Sequence, residues 1–295
     1  MLALSRHFRL LLIAAAAIAA MPAAARAQGN LQGKLQGTPQ GKLEAHYSMT
    51  LAGIPIGKGS WVIDITDNHY MAAASGGTSG LLRVFAGGKG SSAAHGTMAA
   101  GQPVSSVYTS SIVTSKKNDE VRLTIANGVV KDEMVNPAID DDPERVAITD
   151  EHRKGILDPM TASLLRSPGT GDPLSQEACN NRMVSVFDGR MRYDLQLVFK
   201  RMEHVKAGKG YDGPVLVCAV YFTPIAGFIP SRAAIHYVSK LRDIEVWLAP
   251  IAGTRVLVPF RVQGPTPIGR VVLEATEFVA APITTHASAN GQKTQ

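Results

Sequence analysis

The chain has 295 residues, of which 45% are apolar, 6% aromatic and 18% charged, with a formal charge of +6 and only two cysteines. Three of the positive charges, Arg6, Arg9 and Arg26, fall in an N-terminal segment with the marks of a leader, so the excess left on the remainder is too modest to argue for a nucleic-acid partner. The apolar content is sufficient for a substantial core, in one large domain or two small ones.

Residues 1–27 read as a signal peptide. Arg6 and Arg9 form a positive region, Leu10 to Ala20 is apolar but short for a membrane span, and Ala-Arg-Ala places cleavage after Ala27. A membrane anchor is the competing reading of the same stretch. The expected product is a periplasmic protein that does not span the membrane once the signal is removed. Residues 28–41 carry a short Leu-Gln-Gly repeat and read as a flexible leader; residues 281–295 read as a disordered tail. Between them, 42–280 is expected to form a single β-rich domain.

Strands dominate that domain. Leu43–Gly53 and Lys58–Thr66 flank a Gly-Ile-Pro-Ile-Gly loop, and His69–Thr78 follows an Asp-Asn turn. Ser79 could cap a first short helix, Gly80–Gly87. Ser105–Ser115 and Asp119–Met134 come next. Asn127-Gly128 within the latter calls for a type I′ turn, which sets Ile125 opposite Val130, Thr124 opposite Lys131, Arg122 opposite Glu133 and Val121 opposite Met134. Asp132 then falls opposite Leu123, so the strand is expected to leave the sheet there. Asp158-Pro159 opens a second short helix, with Asp as N-cap, Pro at the first helical position and Pro168 as its close.

The strongest short signal is Val186–Leu195, VFDGRMRYDL. Taken as a two-residue turn, Asp188-Gly189 sets Val186 opposite Met191 and Val184 opposite Tyr193. Val184, Val186, Met191, Tyr193, Leu195, Leu197 and Phe199 then form one apolar row, the candidate face for an apolar ligand. Arg190, Arg192 and Asp194 fall on the mixed face, which reads as solvated. Further strands are expected at 214–224, 235–240, 241–250, 254–264 and 269–279, with Pro259 marking an edge strand or a bulge. The sum is a mainly β fold: a large, curved, mostly antiparallel sheet, open or a partial barrel, with two short helices. A sandwich is the alternative.

Cys179 and Cys218 are expected to be bonded to each other, because an even count in an exported chain reads as a bridge. A catalytic thiol or a metal site would need spacing that this pair lacks. No nucleophile elbow surrounds Ser79, since Leu81 stands where a glycine is required. Phe85–Gly96 resembles a phosphate loop in composition but not in spacing. His46, His69 and His95 lie on candidate strands without metal-binding spacing, and Asp140–Asp142 lack the pattern of a calcium loop. No catalytic residue, metal or cofactor is assigned.

Seven stretches together resemble one family: 53–61 (GIPIGKGSW), 79–85 (SGLLRVF), 157–165 (LDPMTASLL), 186–195 (VFDGRMRYDL), 218–228 (CAVYFTPIAGF), 246–250 (VWLAP) and 268–278 (IGRVVLEATEF). The chain resembles the bacterial domain of unknown function 3108 over roughly Leu43 to Val279. Its members usually carry Asp-Pro-Leu-Ser where this chain has Asp158-Pro159-Met160-Thr161. The resemblance implies an exported protein and supplies no catalytic residues.

The functional expectation is a periplasmic, non-catalytic binding protein of the cell envelope, holding a lipid or other apolar ligand. Periplasmic lipoprotein carriers offer a fold-level analogy. An envelope protein acting through protein contacts is the alternative, with an envelope-polymer hydrolase third. Oligomeric state is not readable.

Overall fold

The structure is a computed structural model that describes residues 40–79 and 87–283. The expected signal peptide, nearly all of the expected leader, nearly all of the first expected helix and nearly all of the expected tail lie outside those residues.

Fifteen strands follow in chain order: β1 (Gly41–Leu51), β2 (Ile54–Ile65), β3 (His69–Thr78), β4 (Gly88–Ala99), β5 (Gln102–Thr114), β6 (Asn118–Ala126), β7 (Val129–Asn136), β8 (Leu165–Arg166), β9 (Arg182–Phe187), β10 (Arg192–Lys206), β11 (Lys209–Gly210), β12 (Asp212–Ala226), β13 (Glu245–Pro250), β14 (Val256–Thr266) and β15 (Gly269–Pro282). They form one sheet in the order β7-β6-β5-β4-β3-β2-β1-β15-β14-β13-β12-β10-β9, with β11 beside β15 and β8 beside β14. The main path is antiparallel throughout, and the sheet is not closed. Alternation drives it: Leu43, Ala45 and Tyr47 are buried on β1 while Lys42, Glu44 and His46 are exposed.

The two edge strands, β7 and β9, meet the same short segment. Ile156 donates its N–H to the Gly128 carbonyl (3.1 Å) beside β7, and Leu157 donates to Ser185 (2.9 Å) and accepts from Phe187 (3.0 Å) on β9. This segment satisfies edge groups that would otherwise remain open to another chain.

Apolar residues gather in two clusters. The larger holds inward residues of β1–β6, among them Ile63, Ile65, Tyr70 and Leu123. The smaller is built on β9, β10, β12 and β13 around Cys179 and Cys218. β13 is buried along most of its length: Trp247 and Ala249 join the first cluster, Val246 and Leu248 the second.

Three sequence expectations need correction. Asn127 (φ 52°) and Gly128 (φ 70°) do form the two-residue turn, but β7 does not leave the sheet. A bulge at Lys131 shifts the register, Asp132 pairs with Thr124, and Val135 reaches Val121. The second turn is a four-residue loop. Arg192 pairs with Phe187 and Tyr193 with Val186, a shift of two that preserves the face of every side chain. Asp188 is the cause: its Oδ1 accepts from the N–H groups of Arg190 (2.8 Å) and Met191 (2.7 Å), making a side-chain turn that leaves only Gly189 at positive φ. Residues 235–240 lie in a surface helix, Ala233–Lys240, which two leading alanines favour. Most of the stretch with phosphate-loop composition, Gly88–Gly96, lies in strand β4. Pro259 sits at a bulge opposite Trp247 and Leu248, in a strand that is not an edge.

Candidate functional site

The inward face of β2, β3 and β4 changes character along its length. On β2 the inward residues are Ile65, Ile63, Trp61, Gly59 and Gly57; on β3 they are Tyr70, Ala72, Ala74, Gly76 and Thr78. The register aligns them in rows. Ile63, Ala72, Ala94 and Tyr108 share one, Trp61, Ala74, Ser92 and Ser110 the next, and Gly59, Gly76, Gly90 and Ile112 the third. Bulk fills one end of this face. At the other end three adjacent strands present no side chain at all.

The space left is a cavity of about 670 Å³. Its walls include Tyr47, Met49, Trp61, Tyr108, Ile112, Pro159, Met160 and Leu273, with Val262 arriving from β14. The volume falls inside the roughly 300–1,000 Å³ range of small-molecule sites. Tyr47 donates its hydroxyl to the Pro259 carbonyl (2.7 Å), and burial raises the pKa of both the Tyr47 and Tyr108 hydroxyls, so both stay neutral. The Trp61 indole N–H is buried and has no hydrogen-bond partner among the described residues. Lys58 and Lys89 reach the rim. Among the described residues that line the cavity there is no Asp, Glu, His or Cys. The lining offers apolar surface, a few hydroxyls and two cations, and no acid–base pair.

The Asp158-Pro159 motif explains how one wall is held. Asp158 is fully buried and caps the one-turn helix Pro159–Ala162, its Oδ1 accepting from the N–H groups of Met160 and Thr161 (2.9 Å each). Its Oδ2 accepts from the Ser105 hydroxyl (2.6 Å) and from the Thr161 hydroxyl, which in turn meets the Tyr70 hydroxyl. Burial pushes the Asp158 carboxyl up, and these donors partly oppose the shift. The helix is shorter than expected: it ends at the C-cap Ser163, whose hydroxyl donates to the Pro159 carbonyl (2.9 Å), and Leu165 already joins β8. What the cap fixes is the placement of Pro159, Met160 and Ser163 on the cavity wall.

The row expected from the sequence lies elsewhere. Val184, Val186 and Leu197 belong to the second cluster, with Tyr193, Leu195 and Phe199 packed against it. Met191 stands in the hairpin loop, half-buried. None of these seven residues lines the cavity. Leu157, Ala162, Leu165, Leu174 and Ala178 pack in the same cluster, which buries Val184, Val186 and Leu197 and leaves Tyr193, Leu195 and Phe199 partly exposed. Cys179 and Cys218 form the disulfide within that cluster, with Cα atoms 6.2 Å apart. On the opposite face Arg192 pairs with Asp194 (2.7 Å), and Arg190 reaches Asp119 (3.1 Å). His46, His69 and His95 are exposed.

Residues 46–276 match the family described as protein of unknown function DUF3108. The chain belongs to that family. No curated protein matches it. Among solved structures, a β-barrel-like protein of the domain of unknown function DUF1849 from Brucella abortus is similar over 84% of this chain and 100% of its own, at 9% identity and a TM-score of 0.43. A "putative lipoprotein" from Parabacteroides distasonis ATCC 8503 is similar over 82% of this chain and 96% of its own, at 9% identity and a TM-score of 0.29. Among the described residues no helix is long and apolar enough to cross a membrane.

Proposed function

We propose that this DUF3108 protein is a non-catalytic binding protein of the periplasm that holds a lipid or other apolar molecule in the cavity between β2–β5 and the one-turn helix. The observation that carries this reading is the Gly59–Gly76–Gly90 row, which keeps about 670 Å³ open among Tyr47, Trp61, Met160 and Leu273. An acyl chain entering such a space gains about 0.8 kcal/mol for each methylene removed from water. The unpartnered Trp61 N–H offers a donor in the wall. The Cys179–Cys218 bridge supports an oxidising compartment, and the leader-like N-terminus supports export.

Capture of a fluorescent fatty acid tests the reading. Gly90→Leu is the suitable variant, because a β-carbon there meets ordinary contacts, the Ser111 carbonyl at 3.5 Å and Ile112 Cγ1 at 3.7 Å. It fills the cavity and is expected to weaken capture by roughly tenfold or more. Leu195→Trp, in the second cluster, is expected to lower stability without changing capture. A Gly90→Leu protein that binds as well as the parent would remove the cavity from consideration.

A further inference from the structure

The antiparallel register brings the β1–β2, β5–β6 and β14–β15 turns to one end of the sheet, the end where the cavity glycines lie. Leu51 sits between Ile54 of β2 and Val271 of β15, and Ala52 donates its N–H to the Arg270 carbonyl (2.9 Å), so two of these tips are neighbours. They carry Ile54 and Ile268. At 64% and 74% exposure these are the two most exposed large hydrophobic side chains among the described residues. Ile112, half exposed, stands on β5 in the cavity wall.

Positive charge lies at the same end of the sheet. Lys58 and Lys89 flank Gly77 in one cross-strand row, Lys116 lies in the β5–β6 turn, and Arg270 follows Ile268 by two residues. None of these four makes an ion pair among the described residues, whereas their neighbour Lys117 pairs with Asp119 (2.8 Å). Asp119 is further engaged by Arg190 (3.1 Å), and Glu120 accepts from Asn118 (3.4 Å), so both acids that open β6 are already partnered.

We infer that this end of the protein docks on an anionic lipid surface, with the glycine end of the cavity turned toward the bilayer. The inference deepens the cavity reading by naming the surface from which an apolar ligand would come. Isoleucines standing singly on hairpin tips among unpaired lysines suit insertion between headgroups, where aliphatic tips enter the acyl boundary and cations meet phosphates. A protein partner would call for a contiguous apolar patch. A second copy of the chain, set tip to tip, would bring Lys58, Lys89, Lys116 and Arg270 against their own like charges.

Flotation of the full-length mature chain with vesicles decides it. Phosphatidylcholine vesicles with added phosphatidylglycerol are expected to bind the protein, and pure phosphatidylcholine vesicles to bind it weakly. Lys116→Glu/Arg270→Glu is expected to reduce binding to the anionic vesicles by roughly tenfold or more. Ile54→Asp/Ile268→Asp is expected to abolish it while leaving fatty-acid capture in solution intact, since neither side chain lines the cavity. No association with anionic vesicles, or association unchanged in both double variants, overturns the inference. A dimer that disappears in Ile54→Asp/Ile268→Asp, without vesicle binding, also overturns it and assigns the tips to a second copy. Vesicle binding by a chain that captures no fatty acid upholds docking and defeats the cavity reading.

Discussion

Gly189 lies so close to Val121 that a β-carbon added to it would stand 2.6 Å from the Val121 Cγ1. The two residues come from opposite ends of the strand order, Gly189 in the β9–β10 loop and Val121 on β6, next to the edge strand β7. Gly189 also has φ +90°, a conformation that side chains resist. Gly189→Ala is therefore expected to cost about 1–3 kcal/mol. Gly53 supplies the control, with φ +82° and nothing within 4 Å of an added β-carbon, so its alanine variant loses only the backbone contribution. Denaturant midpoints separate the two. Equal losses would show that the hairpin tip is not packed against β6.

Much of the sheet could be read from alternation and turn chemistry, and the misreadings share a cause. Asn127-Gly128 behaved as a two-residue turn because nothing local competes with its backbone. Asp188 does compete: its carboxylate captures two N–H groups and lengthens the loop, which a dipeptide pattern does not report. Of the expected ligand row, Val184, Val186 and Leu197 are buried, yet alternation cannot say what lies opposite, and Leu165, Leu174 and Ala178 come from the segment just before β9, which has little strand periodicity to read. The cavity did leave a trace. Gly57, Gly59, Trp61, Ile63 and Ile65 alternate from empty to bulky along one face. That gradient becomes legible only when the register sets Gly59 beside Gly76 and Gly90.

The disulfide should carry a measurable share of stability. It closes a loop of 39 residues between the turn after Ala178 and the centre of β12. In the chain-entropy account such closure stabilises by on the order of 4 kcal/mol. Intact mass before and after reduction and alkylation reads the bond directly. Reduced protein is expected to unfold at markedly lower denaturant. Two alkylated thiols in unreduced periplasmic material would dismiss the bridge.

Asp158 should make stability depend on pH. Burial raises its pKa above the usual 3.8, so the native state keeps a proton that the unfolded chain has already lost. Its contribution is fully present below the unfolded value and is lost as pH rises through the native one. Asp158→Asn stays neutral and keeps an oxygen for the Met160 and Thr161 N–H groups. Melting at a series of pH values is expected to show the difference moving in the variant's favour from about pH 4 to pH 7. A difference that stays constant over that range would mean the carboxyl titrates normally.

Glu245 titrates in the opposite sense. Arg201 donates to both of its oxygens (2.9 and 3.3 Å), Lys200 to Oε1 (2.6 Å) and Gln263 to Oε2 (3.2 Å). The Arg201 contacts first, then Lys200, hold the carboxyl down at about 2 against its usual 4.5, over the opposing effect of burial. The native state therefore stays ionised where the unfolded chain takes up a proton. This stabilisation is present above pH 4.5 and is lost as pH falls toward 2. Lys200 and Arg201 are about two-fifths exposed, so solvent screens the pair, and Glu245→Gln is expected to cost only about 1–2 kcal/mol at pH 6. The wild-type advantage should shrink between pH 4.5 and pH 2.5, because acid discharges Glu245 while the glutamine is indifferent. Urea midpoints at pH 6, 4 and 3 check the slope. An advantage that survives unchanged at pH 3 would place the stabilisation in packing around Trp247, which Arg201 and Arg261 cover at 5.6 and 4.7 Å, and not in the charge of Glu245.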